Sequence, residues 1–121
     1  MNRKLYPICE NRMFIRAYRK GKSAVNKYTA VYVLKSNYKN SKTGELVTRL
    51  GISINAKLGK ACKRSRVKRM IREAYRANLD SIQKGYVIII AARAAAFEKG
   101  VKSTNIERQL KATLYKLEVM K

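Results

Sequence analysis

The seven residues Tyr86–Ala92, YVIIIAA, form the longest apolar run of the chain and stop at Arg93. Its β-rich content fits a strand. The absence of polar alternation requires that strand to be covered on both faces. A chain built around it needs a sheet with apolar elements packed against it and one core. The run is too short to span a bilayer. At 121 residues the chain has the size of a single domain, 1–121, and can bury about two-thirds of its unfolded surface.

The remaining elements follow from shorter patterns. Residues 1–9 read as an irregular basic lead-in, with Pro7 disfavouring helix before it. Asn11 suits an N-cap and Gly21 a C′ position, with Arg19 and Lys20 complementing a helix C-terminus. Phe14, Ala17 and Tyr18 share one face of that first helix. Residues 28–34, YTAVYVL, read as a strand. It points Tyr28, Ala30, Tyr32 and Leu34 to one face and Thr29, Val31 and Val33 to the other. A polar loop over 36–45 leads to a second strand at 46–54, where Gly51 marks a bend or close packing. A turn around Gly59 precedes a long helix from about Cys62 to Leu79, striped by Val67, Ile71, Ala74 and Asn78. Asp80 to Gln83 resembles a capping box for a short element. Residues 94–102 fit helix or loop. Thr104 to Glu107 is a second capping box, opening a helix striped by Ile106, Leu110, Leu114 and Leu117. The expected order is α-β-β-α-β-α.

Charge narrows the function. There are 29 Lys and Arg against 7 Asp and Glu, a net charge of +22 spread along the whole chain. A compact domain so charged repels itself unless a polyanion neutralises it. Nucleic acid is the first candidate and an anionic membrane the second. No two of the seven acids lie closer than seven residues, and histidine is absent. That removes the usual general base, the Ser–His and Cys–His pairs, and any local carboxylate cluster for Mg²⁺. Cys9 and Cys62 have no metal-site spacing and read as two unpaired, semi-buried thiols. The opening MNRKLYPICE lacks the apolar core of a signal peptide, so a cytoplasmic, membrane-free protein is expected.

The segment Lys57 to Arg76 holds nine cations, Lys57, Lys60, Lys63, Arg64, Arg66, Lys68, Arg69, Arg72 and Arg76, against the single acid Glu73. Five of them, Lys60, Arg64, Lys68, Arg72 and Arg76, repeat at i, i+4 and form an inclined ridge beside the Val67 stripe. Like charges so spaced destabilise an isolated helix; a bound polyanion reverses that sign. Arginine adds bidentate contact with phosphate.

Lys60-Ala61-Cys62-Lys63-Arg64-Ser65-Arg66-Val67-Lys68-Arg69-Met70-Ile71-Arg72-Glu73 resembles the signature helix of the bacterial ribonuclease P protein family. That helix carries an Arg-Asn-Arg core followed by x-Lys-Arg-x-x-Arg-Glu. Arg64, Arg66, Lys68, Arg69, Arg72 and Glu73 match it, while Ser65 replaces the usual Asn. Gly51-Ile52-Ser53-Ile54, Lys57 and Gly59 resemble the lead into that helix. Asn11 through Phe14, Tyr18, Gly21-Lys22-Ser23 and Asn26 resemble the family's first helix and its exit. Tyr28–Leu34 and Tyr86–Arg93 resemble its strands.

The resemblance implies an α+β sandwich of the ribosomal S5 domain 2 type, with a left-handed β-α-β crossover containing the basic helix. It implies a partnership in which a catalytic RNA uses Mg²⁺ to cleave the 5′ leader from precursor tRNA. The protein, monomeric when free, would bind RNA through Lys57, Lys60, Lys63, Arg64, Arg66, Lys68, Arg69 and Arg72. Phe14, Tyr18 and Tyr32 would line a leader-binding cleft, where aromatic faces stack on unpaired bases; read without the resemblance they are core residues. The rivals are a ribosomal or other structural RNA-binding protein, a DNA-binding architectural protein, a cationic membrane-active protein and a protein-only nuclease. The first shares charge and size, the second lacks dimerising heptads, and the third lacks bulky apolar residues on its basic helix.

Overall fold

The computed structural model describes residues 6–7, 11–36, 39 and 42–120, and the side chains of all of these but 6, 7 and 11–14. The elements are β1 (Tyr6–Pro7), α1 (Asn11–Lys20), β2 (Lys22–Val25), β3 (Thr29–Lys35), β4 (Arg49–Ser53), α2 (Ala61–Ala77), β5 (Tyr86–Ala92) and α3 (Ser103–Lys116). The strands form one mixed sheet in the order β1-β4-β5-β3-β2. β5 runs parallel to β4 and antiparallel to β3. The apolar run is thus central, and α2 connects the parallel pair β4 and β5.

Two short strands depart from the expected order. Tyr6–Pro7 pairs in parallel with Arg49 and Leu50, so part of the expected irregular lead-in is an edge strand. Lys22–Val25 pairs antiparallel with Ala30–Val33. Its side chains are mostly exposed, so backbone pairing holds it, with no apolar pattern to announce it.

Alternation along β3 and β5 sends side chains to two different cores. Val31, Val33, Ile88 and Ile90 face α2 and α3, with Leu50 of β4 and the buried helix residues Val67, Ile71, Ala74, Tyr75, Ile106, Leu110 and Leu114. Val87 and Ile89 face α1, where Ala17 completes a cluster bordered by Tyr32 and Leu34. The expected stripes on α2 and α3 are buried throughout, including Asn78 and Leu117. Asn78 is satisfied there, because its Nδ2 donates to the Ala74 carbonyl at 3.0 Å.

Several local readings need correction. Tyr18 is exposed, whereas Ala17 is buried. Gly21 is required by space: a Cβ there would lie 2.6 Å from the carbonyl oxygens of Ala17 and Val33. Asp80 sits in a single 3₁₀ turn, Leu79–Ser81, that starts no helix. Residues 94–97 form another such turn. α3 begins at Ser103, one residue before the proposed Thr104 box, and the Lys102 N–H donates to Asn105 Oδ1 at 2.9 Å. Cys62 is exposed and unpaired rather than semi-buried. Cys9, the surroundings of Asn11 and the side chain of Phe14 lie outside the described residues.

Candidate RNA-binding surfaces

The basic segment folds as its periodicity requires. Asn55 Oδ1 accepts the Lys57 N–H at 2.9 Å and shapes a 3₁₀ turn, Ala56–Leu58, that leaves Lys57 exposed. The chain passes Gly59 and enters α2 at Lys60, which offers no side-chain cap; no acid follows in the first turn. The first N–H groups of α2 are therefore open to an anion, and the helix dipole favours one. Val67, Met70, Ile71, Ala74 and Tyr75 bury one side of the helix. Burial pushes the Tyr75 phenol up, so it stays neutral and apolar in character.

The cations cover the other side. Lys60, Lys63, Arg66, Lys68, Arg69, Arg72 and Arg76 are exposed and Arg64 is half-buried. At 100° per residue, Arg64 and Lys68 fall on one flank of the Val67 stripe and Lys63 and Arg66 on the other. The first flank borders a pocket of about 320 Å³ with Ile52, Ile54 and Ser65. Arg64 Nε is buried there without a hydrogen-bond acceptor. A buried donor left unpaired costs about 1–3 kcal/mol, so an acceptor supplied from outside stabilises it. On the second flank Arg66 Nη2 donates to the Val101 carbonyl at 3.2 Å, which fixes that guanidinium.

The cleft lies on the opposite face of the sheet. Tyr18 of α1 and Tyr32 of β3 meet edge to face, ring centroids 4.7 Å apart at 85°. The register continues the floor past them: Tyr32 pairs with Ile89 and Ile89 with Gly51, then Ala30 with Ala91 and Ala91 with Ser53. Tyr32, Ala30, Ala91 and Ser53 are all partly exposed. The structure thus brings Tyr18 and Tyr32 together and separates them from the α2 cations by the thickness of the sheet. Arg49, which pairs with Val87 on this face and is largely buried, was not singled out in the sequence. A lone Arg at the start of an apolar strand carries no signal of its own. Among the described residues no three Cys, Asp or Glu side chains gather as a metal site. No helix among them is long and apolar enough to cross a membrane.

Residues 3–118 match the family model described as Ribonuclease P. The ribonuclease P protein component of Clostridium acetobutylicum is 42% identical over 104 residues, covering 86% of this chain and 82% of that protein. That of Clostridium botulinum is 40% identical over 96 residues, covering 78% and 80%. Among solved structures, the Staphylococcus aureus RNase P protein superposes with a TM-score of 0.76 at 33% identity, over 98% of this chain and 100% of that one. The RNase P protein from Thermotoga maritima gives 0.73 at 30% identity, over 98% and 99%. The chain therefore belongs to the bacterial ribonuclease P protein family, as the protein component of the endoribonuclease that matures the 5′ end of tRNA.

Proposed function

We propose that this chain uses its two faces for two RNAs: α2 for the catalytic RNA subunit, and the Tyr18–Tyr32 cleft for the 5′ leader of precursor tRNA. The observation that carries the reading is the separation of an uncapped, cation-covered helix from an open aromatic floor on the other side of one sheet. Lys57, Lys60, Lys63, Arg64, Arg66, Lys68, Arg69 and Arg72 bind RNA phosphates, and the aromatics stack on unpaired leader bases in any sequence. Phe14 belongs to the same cleft by its place in α1.

Cleavage is the work of the RNA subunit with Mg²⁺. The protein's part is binding and orientation. The free protein is a monomer and works in the cytoplasm.

The sandwich is of the ribosomal S5 domain 2 type, and the β4-α2-β5 crossover is left-handed. The Arg93 N–H donates to the Tyr28 carbonyl and the Ser36 N–H to the Gly85 carbonyl. Carrying that alternation along the ladder turns the backbone groups of Val87, Ile89 and Ala91 toward β3. The side chains of Val87 and Ile89 point to α1. For L-residues viewed from the α1 side with β5 running upward, β3 then lies to the right and β4 to the left. α2 lies behind the sheet, so the step from β4 to β5 advances in the left-handed sense, against the usual rule.

Leader-length titrations test the assignment of faces. Tyr32→Ala should weaken binding of precursor tRNA by about 1–3 kcal/mol and leave mature tRNA unaffected. Equal loss for both substrates removes the leader from the cleft.

A further inference from the structure

The segment between β5 and α3, which fits either helix or loop in the sequence, builds a second wall for α2. Its 3₁₀ turn, Ala94–Phe97, places the Phe97 ring over Gly59, where a Cβ would lie 3.0 Å from Phe97 Cδ2. The glycine before α2 is thus matched to this ring. Between ring and helix lies a pocket of about 290 Å³ lined by Lys63, Arg66, Val67, Ala96, Phe97 and Lys99. Its floor is apolar and its rim is three cations.

Among the described residues no acid forms an ion pair with any of those three cations. Arg66 gives one N–H to the Val101 carbonyl. Its guanidinium carries five, so donors remain for an anion. Three uncompensated positive charges around one concavity repel each other, and an anionic ligand removes that cost. The volume, near the roughly 300 Å³ lower end for small-ligand sites, suits one nucleotide rather than a duplex groove. An aromatic wall beside cations matches a base with its phosphates.

We propose that Phe97, Lys63, Arg66 and Lys99 form a pocket for a single unpaired nucleotide of RNA, its base against Phe97 and its flanking phosphates on the three cations. The inference rests on the assignment of α2 to the RNA subunit and extends that surface onto residues 96–99. It separates the two flanks of α2: Arg64 and Lys68 track backbone beside β4, while Lys63 and Arg66 share an extruded base with the 94–99 segment.

The test is binding of a bacterial ribonuclease P RNA, titrated over a range of salt, by the wild type, Phe97→Leu, Lys99→Ala and Lys111→Ala. Leucine keeps apolar bulk against Gly59 and removes the stacking face. Lys111 is an exposed cation on α3 outside the pocket. Thermal melts of each variant confirm folding. Phe97→Leu should weaken binding roughly 5- to 100-fold with an unchanged salt slope. Lys99→Ala should lower the magnitude of the log–log slope by about 1, and Lys111→Ala should leave it alone. Wild-type affinity for Phe97→Leu, or equal slopes for Lys99→Ala and Lys111→Ala, overturns the pocket while leaving the role of α2 intact. If the wild type binds this RNA no better than an unrelated hairpin RNA, the assignment of α2 fails instead. The pocket is then judged by the same variants on the hairpin.

Discussion

The two sides of β5 bury their residues equally and use them differently. Val87, Ile88, Ile89 and Ile90 are all fully buried. On the Ile88 and Ile90 side, nineteen of the described residues form one buried cluster under α2 and α3. On the Val87 and Ile89 side, the cluster among the described residues is three: Ala17, Val87 and Ile89. Two helices close the first face; a ten-residue helix covers part of the second. The closed face holds the fold and presents cations on its outer surface. The open face leaves Tyr32 within reach of a ligand. A strand covered on both faces can therefore serve a core and a binding floor together, because the cover need not be equal.

The sharpest way to break this comparison is to remove the same atoms from each side. Ile88→Ala should cost the most, toward the upper end of the ~2–5 kcal/mol range for such truncations, because two packed helices cannot both settle into the gap. Ile89→Ala should cost less, since the single helix α1 can shift. That shift moves Tyr18, so leader binding falls with it. Urea midpoints for the two variants check the stability claim; equal losses would mean that both faces are equally rigid.

Next in size are the cations. Arg64→Ala and Arg66→Ala should each weaken binding of the RNA subunit by about 1.5–3 kcal/mol, the range for a charged hydrogen bond. Arg66 is exposed, and the buried Nε of half-buried Arg64 makes no hydrogen bond among the described residues, so stability should change by only about 0.5 kcal/mol. If melting temperatures collapse instead, these side chains belong to the fold. Across the whole surface, neutralising six to ten phosphates gives a log–log salt slope of magnitude about 5–9.

A smaller effect concerns the turn between β2 and β3, which docks on α3. Asn26 Oδ1 accepts the N–H groups of Tyr28 and Thr29, and its Nδ2 donates to the hydroxyls of Thr29 and Thr113. Asn26→Ala should cost about 1–3 kcal/mol by leaving those backbone donors unpaired, read again by urea midpoint.

The smallest effect is a pH response on the closed face. Burial raises the Tyr75 pKa above its ordinary value near 10. An unfolded chain loses that proton first, so the contribution is full below about pH 10 and is lost as pH rises toward the folded-state pKa. The slope is at most ~1.4 kcal/mol per unit. Urea midpoints at pH 9 and 11 should show a steeper fall for the wild type than for Tyr75→Phe.

How much was legible in the sequence depended on how each element is held. β5, α2 and α3 follow from their apolar periods because burial decides them: Val67, Ile71 and Ala74 had nowhere else to go. β1 and β2 escaped because pairing of a few backbone groups holds them, and exposed Lys22 and Ser23 show no period. Tyr18 shares the apolar side of α1 in pattern, but among the described side chains of that helix only Ala17 is buried and Tyr18 stays at the rim. The cation ridge was readable as charge at fixed spacing. The Phe97 wall was not, since a single 3₁₀ turn has no repeat and its match to Gly59 spans 38 positions. Arg49 was missed for the same reason: its place under the cleft comes from strand register alone.

The most direct test of the account is cleavage of precursor tRNA at physiological Mg²⁺, with this protein alone, with a cognate ribonuclease P RNA alone, and with both. Binding on two faces of one protein predicts strong cleavage at the mature 5′ end for the mixture, weak cleavage for the RNA alone and none for the protein alone. Cleavage by the protein without RNA, or no enhancement of the RNA by the protein, would contradict it.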